Sequence, residues 1–335
     1  MGSGYSARGR RQSGPAPNSL AATSAKAKNR GMGNFVLLVA CFLLGIALRA
    51  SHRLPDNAPA ALNGFIVNIS LPALTLTYVH GLRPDARLLL VALMAWLLFG
   101  LGAGIVWLVA SAMKLPRSTT GALILTGSFA NTSFIGLPMI EIWYGPQWLG
   151  VGIVADQLGS YFVLSTLGIV VAGVGPGDAA RLQARAVARK ILTFMPFVSM
   201  LVALALIPLP YPPWLDELLK RLGATLVPLA LVSVGFQLRL SQMRGRVPQL
   251  ALGLAFKLVI GPALVLLMYA GVIGARGTVI QVTVFEAAMG PMIGAAIVAM
   301  DHDLDPALVT LMVGIGIPLS FVTLPAWWWM LQGFA

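Results

Sequence analysis

The chain reads as an all-α polytopic membrane protein: ten transmembrane helices in two inverted repeats of five, with helices 4 and 9 broken. Three observations predict this. Hydrophobic residues make up 58% of the 335, charged residues only 10%, and mean hydropathy is +0.84; a soluble domain carries about 25% charged residues. The segment LPALTLTYVHGLR, Leu71 to Arg83, aligns without a gap on VPLALVSVGFQLR, Val227 to Arg239, at an offset of 156 residues. Pro72 then falls on Pro228, Thr77 on Ser233, Leu82 on Leu238 and Arg83 on Arg239. Finally, GSFANTSFIGLPMIEIWYG and VFEAAMGPMIGAAIVAM each carry a proline near mid-segment, and these two, Pro138 and Pro291, lie 153 residues apart, close to the repeat offset. A repeat unit with an odd number of spans sets the two copies upside down relative to each other, as in many secondary transporters.

A spanning helix needs about 20 mostly apolar residues. Ten stretches qualify, at about 34–50, 59–81, 86–113, 118–143, 147–174, 190–208, 215–238, 247–271, 277–300 and 306–332. The domains follow as a tail at 1–33, a first repeat at 34–174, a cytoplasmic loop at 175–189 and a second, inverted repeat at 190–335. Cys41, the single cysteine, lies in span 1 and excludes an internal disulfide. His52, His80 and His302 fall at span ends or in loops, so no metal site is expected, nor any cofactor.

The net charge of +12 does not point to nucleic acid, because the basic residues crowd into the tail and the short loops. Loops after odd-numbered spans hold eleven: Arg49, Arg53, Lys114, Arg117, Arg181, Arg185, Arg189, Lys190, Arg239, Arg244 and Arg246. Loops after even-numbered spans hold five: Arg83, Arg87, Lys220, Arg221 and Arg276. The bias puts the odd loops in the cytoplasm and both termini outside. The tail opposes it, with six basic residues and no acid in 1–31. One reading makes Met32 the natural start and the tail non-native; the other keeps a basic tail in the cytoplasm and inverts the topology. Arginine outnumbers lysine, and alanine and glycine are abundant, which points to a GC-rich bacterial source and an inner-membrane location.

Spans 4 and 9 are expected to break near Pro138 and Pro291. Proline removes a backbone donor and clashes with the carbonyl four residues back. In lipid the freed groups are tolerated only where protein buries them or a wet cavity receives them. Paired discontinuous helices in corresponding positions are a pointer to a transporter binding site, and their amide ends suit an anion. The competing reading, a harmless kink, is preferred for Pro72, Pro228, Pro262 and Pro318.

After the charges of the loops and span ends are set aside, four ionisable residues remain inside spans: Glu141, Asp156, Lys257 and Glu286. Each costs roughly 2.5–3.5 kcal/mol at a helix centre. Glu286 and Asp156, the latter beside Gln157, are candidate carriers of a proton or ligands of sodium. Lys257 is a candidate counter-ion for an anionic substrate. The competing reading is a structural ion pair of Lys257 with either carboxylate; Glu141 is expected nearer the interface. Asn63 and Asn68 are read as interhelical hydrogen-bonders, and Asp303 or Asp305 as the cap of span 10.

NISLPALTLTYVHGL, LVPLALVSVGFQLR, FKLVIGPALVLL, FEAAMGPMIGAAIVAM and above all the N-T-x-F-x-G-L-P run from Asn131 to Pro138 resemble the auxin efflux carrier family, with its bacterial malate and malonate permeases. The resemblance runs from about residue 34 to the end. It implies a scaffold of helices 1, 2, 6 and 7 and a transport domain of helices 3–5 and 8–10, with broken crossing helices 4 and 9. More distantly, bile acid–sodium symporters place a carboxylate and polar side chains near such a crossing; Glu286 and Asn131 look similar. The rest of a sodium site is not recognisable, so the coupling ion, H+ or Na+, stays open.

The function expected is a secondary carrier of small organic anions, mono- or dicarboxylates or auxin-like acids, working by elevator-like alternating access. The substrate is expected at Asn131, Thr132, Gly136, Pro138, Gly290 and Pro291, with Lys257 assisting and Glu286, Asp156 and Gln157 handling the ion. A sodium-coupled symporter of bile acid-like anions is the alternative, and a channel or non-transporting sensor a remoter one. An enzyme is not expected, since no nucleophile–base pair or metal cluster lies at depth. Partners are the substrate and the bilayer; a homodimer is an open option.

Overall fold

The computed structural model describes residues 36–37, 39–81, 85–173, 189, 192–237 and 246–334. The tail, nearly all of the central loop, and Leu82, Arg83, Leu238 and Arg239 of the repeat lie outside them. The described residues form helices and one isolated β-bridge. In the first part of the chain these are α1 (Val39–Ala50), α2 (Ala58–His80), α3 (Arg87–Ala112), α4 (Arg117–Ser128), α5 (Leu137–Trp143) and α6 (Pro146–Gly173). The second part holds α7 (Met195–Ala205), α8 (Pro213–Gln237), α9 (Val247–Val272), α10 (Thr278–Ala287), α11 (Ile293–Asp301) and α12 (Pro306–Phe334). Six of them, α2, α3, α6, α8, α9 and α12, are long and apolar enough to cross a membrane. Leu89, Trp107, Leu267, Val322 and Trp329 stand exposed on these helices, as residues facing hydrocarbon would.

Proline shapes several helices without ending them. Pro72, Pro138 and Pro262 each follow by two residues a wide, π-type turn, at Ile66–Ser70, Thr132–Gly136 and Phe256–Ile260. A ring that cannot bond the carbonyl four back pushes the preceding turn open, and widening keeps the helix going. In α9 the carbonyl left over by Pro262, that of Leu258, accepts a hydrogen bond from Trp327 Nε1 at 2.8 Å. Span 6, expected at 190–208, is helical over Met195–Ala205; the chain turns out of the helix from Leu206, where Pro208 and Pro210 cannot donate.

α2 lies along α7 and α8. The α2–α8 contact carries a hydroxyl pair, Ser70 with Thr225 at 2.7 Å, and a bond from Ser233 Oγ to Asn63 Oδ1 at 2.6 Å. Asn68, in contrast to the expectation, donates within its own helix to the Gly64 carbonyl, because its side chain points along α2 rather than across it. α1 crosses α8 backbone to backbone: a Cβ at Gly45 would stand 2.2 Å from the Val232 carbonyl oxygen, and one at Gly235 2.1 Å from that of Phe42. Elsewhere α3 packs on α4, α6, α9 and α10, while α12 packs on α4, α9, α10 and α11.

At one end of the bundle Asp305 caps α12, accepting from Leu308 N, and also accepts from Thr119 Oγ1 at 2.8 Å and from Arg246 Nη1. This single carboxylate ties the starts of α4, α9 and α12 together.

Candidate functional site

Two helices are interrupted inside the bundle. The first interruption runs through Phe129, Ala130 and Asn131, between α4 and the wide turn Thr132–Gly136 that leads into α5; the second lies between α10 and α11 around Gly290 and Pro291. The two unwound segments cross as an antiparallel bridge of Ala130 with Pro291. Asn131 N donates to the Gly290 carbonyl at 2.9 Å, and Met292 N donates to that of Phe129 at 3.2 Å. Each break thus supplies the partner the other needs, since no water is available in hydrocarbon. The crossing is tight on the α12 side. A Cβ at Gly290 would meet Ser320 Oγ at 3.0 Å, and one at Gly316 would meet Pro291 Cγ at 2.6 Å.

One break is not where the proline suggests. Pro291 lies in its interruption, but Pro138 sits in the first turn of α5, well past residues 129–131. Its local cost is absorbed by the wide turn before it, whereas the chain unwinds where a bonding partner crosses.

Asn131 locks this arrangement. Its Oδ1 accepts from Phe134 N at 3.2 Å, capping the wide turn, and its Nδ2 donates to the Pro291 carbonyl at 3.3 Å. Thr132 and Ser133 then direct their hydroxyls at Asp156, which stands on a second wide turn, Ala155–Tyr161 of α6. Asp156 Oδ1 accepts from Thr132 Oγ1 at 2.6 Å and from Ser133 Oγ, and Oδ2 accepts from Gln157 Nε2 at 2.8 Å.

Glu286, in the last turn of α10, is fully buried, and neither carboxylate oxygen has a hydrogen-bond partner. It is pressed between two glycines. A Cβ at Gly136 would lie 2.2 Å from Oε2, and one at Gly152 would lie 3.1 Å from Oε1. Asp156 and Lys257 both lie within electrostatic reach of it. Close by in sequence to Asp156, Gln157 Oε1 and Ser160 Oγ are also buried without partners.

Lys257 is fully buried on the wide turn of α9 and donates from Nζ to the Ala287 carbonyl at 2.8 Å. It therefore serves the C-terminal end of α10, where the helix leaves carbonyls unpaired and the dipole favours a cation. The expected alternative of a structural ion pair is not what forms: the ammonium bonds the carbonyl, and Glu286 keeps both oxygens unpaired.

The fold thus gathers Asn131, Thr132, Gly136, Gly290 and Pro291 at or beside the crossing, with Asp156, Gln157 and Glu286 in the adjoining acidic cluster and Lys257 behind α10. Glu141 stays outside, half-buried on α5. Sequence reasoning missed Gly152, and Ser133 stood only as an unspecified position of the N-T-x-F-x-G-L-P run. Chemically, the cluster offers buried, unpaired oxygen acceptors and two carboxylates. Such a set suits a proton or a small hard cation. Among the described residues no group of three or more His, Cys, Asp or Glu could hold a metal ion.

A family model described as membrane transport protein matches residues 32–328. The chain belongs to the membrane transport protein family. This is the auxin efflux carrier family that its motifs resemble. Over 291 residues the chain is 28% identical to an uncharacterized transporter of Methanothermobacter thermautotrophicus, covering 85% of this chain and 93% of that one. It is 24% identical over 223 residues to the uncharacterized transporter MJ1031 of Methanocaldococcus jannaschii, covering 65% and 70%. Membership in the membrane transport protein family, with the apolar helices above, makes this a multi-pass integral membrane protein and places it among transporters.

Proposed function

We propose that the protein is a secondary carrier of small organic anions, mono- or dicarboxylates, in which Glu286 and Asp156 handle a coupling cation. One observation carries this reading: Glu286 is a fully buried carboxylate whose two oxygens have no hydrogen-bond partner. Removing one partner of a buried ion pair costs about 3–5 kcal/mol. A carboxylate kept there unpaired is best accounted for by a visiting proton or cation. The crossing supplies the second half of the argument. The wide turn into α5 and the start of α11 bring amide ends together at the bridge, and such ends favour an anion. The ten-helix inverted-repeat plan fits the two crossing breaks. Elevator-like motion fits the packing: α2, α7 and α8 form one group, α3, α4, α6 and α9–α12 another.

A sodium ion remains the alternative to a proton, and the unpaired Oε1 of Gln157 beside the carboxylates favours it as an added oxygen ligand. The test is uptake of labelled malate and malonate into proteoliposomes, with pH and sodium gradients imposed separately. Uptake driven by one gradient, reduced about tenfold or more in Glu286→Gln while the variant stays folded, is the expected result. Unchanged gradient-driven uptake in the variant refutes the role of Glu286. An absence of uptake under either gradient refutes the carboxylate reading.

A further inference from the structure

A cavity of about 350 Å³ opens at the end of the bundle that carries Asp305 and is lined by residues of α1, α8, α11 and α12, together with the start of α2. Its polar lining is Arg49, Asp56, Gln237 and Thr310, among apolar walls that include Phe236 and Met300. Ile293 and Gly314 also line a second, much smaller cavity of about 10 Å³, together with Ile317 and Pro318. Ile317 in turn packs on Gly290, its Cα 3.1 Å from where a Cβ would stand. The small cavity thus lies between the larger one and the crossing.

Arg49 holds a defined place in it. The side chain is half-buried at the end of α1 and donates from Nη1 to the Phe236 carbonyl at 3.3 Å. That contact anchors the guanidinium to α8 at the cavity wall. The planar fork of a guanidinium matches a carboxylate. Apolar neighbours strengthen such an attraction by lowering the local dielectric. Asp56 lines the same cavity and opposes Arg49 in sign.

We propose that Arg49 is an anion-anchoring residue. It takes the carboxylate of a small organic anion at a station in this cavity, before the anion reaches the crossing. The proposal rests on the organic-anion reading above and adds a second site to it. Asp56 weakens the station by repulsion, which gives the two residues opposite expected effects.

The test uses the full chain with Cys41→Ser and Thr310→Cys, which leaves a single thiol on the cavity wall. Its rate of maleimide modification is followed in purified protein with malonate, malate or acetate as protectant, and malate uptake is measured in parallel. Malonate or malate is expected to slow modification severalfold. Arg49→Gln should remove that protection and raise KM about tenfold or more. Arg49→Lys retains part of the protection, and Asp56→Asn shows it at lower anion concentration. A merely structural arginine would lower thermal stability in Arg49→Gln yet leave protection in Asp56→Asn unmoved, and that pattern overturns the proposal. So does the lack of protection by all three anions, or protection undiminished in a folded Arg49→Gln. Protection without uptake sinks the carrier reading alone; uptake without protection sinks the station alone.

Discussion

A carboxylate without a partner inside a membrane protein is expensive, and Glu286 is one by geometry rather than by remoteness. Two glycines make the room for it. With 2.2 Å between Glu286 Oε2 and the place a Gly136 methyl would occupy, Gly136→Ala forces the carboxylate to move. Overpacking of this kind costs about 1–3 kcal/mol. The expected outcome is a folded protein with a lowered unfolding temperature and gradient-driven uptake reduced about tenfold or more. Uptake at the wild-type level would separate Gly136 from the ion site. Glu286, Asp156 and Lys257 were legible in sequence because a charge inside an apolar run has no cheap explanation. Gly152 was not, since one glycine among many acquires its meaning only from a side chain on another helix. The partner of Lys257 was equally hidden: the Ala287 carbonyl is available because α10 ends there, and that ending is set by the crossing.

In three helices a proline follows a wide turn, and Trp327 shows how one such pair is completed. Its indole N–H bonds the Leu258 carbonyl, the group that a residue with an amide at position 262 would have bonded. Leaving a buried carbonyl unsatisfied costs about 1–3 kcal/mol. Trp327→Phe is therefore expected to destabilise the protein by about that amount, lost packing included. Combining it with Pro262→Ala, which restores an amide, should recover part of the loss. The check is a double-mutant cycle on unfolding in detergent; strictly additive effects would show that the indole and the proline act independently. The prolines were plain in the sequence, and so were two interrupted spans. The position of the first interruption was not. Pro138 marks where the helix is strained, but residues 129–131 unwind because Gly290 and Met292 stand opposite to bond them. A break of this kind depends on a partner far along the chain, which local pattern does not register.

Across the whole molecule, contacts sort the loops into two ends. Arg246, Thr119 and Asp305 meet at one end, where Arg49 and Thr310 line the open cavity. At the other, Gly277 N bonds the Phe334 carbonyl at 3.1 Å, Arg87 Nη1 lies 3.5 Å from where a Gly277 Cβ would stand, and His80 holds the Leu206 and Leu209 carbonyls. Among the described residues, the loop charges Arg49, Arg117 and Arg246 fall at the first end and Arg87 at the second; the tail and nearly all of the central loop lie outside them. The bias in short loops orients a membrane protein through the cost of moving lysine and arginine across. The Asp305 end is accordingly expected in the cytoplasm, and the Arg49 cavity opens there. Single cysteines in a Cys41→Ser background test this with a membrane-impermeant maleimide. Lys114→Cys and Asp303→Cys are expected to react in inverted vesicles only, and Arg276→Cys in intact cells only. The opposite pattern would turn the molecule over. The Arg49 cavity would then face the outside, and it would receive anions for import rather than for export.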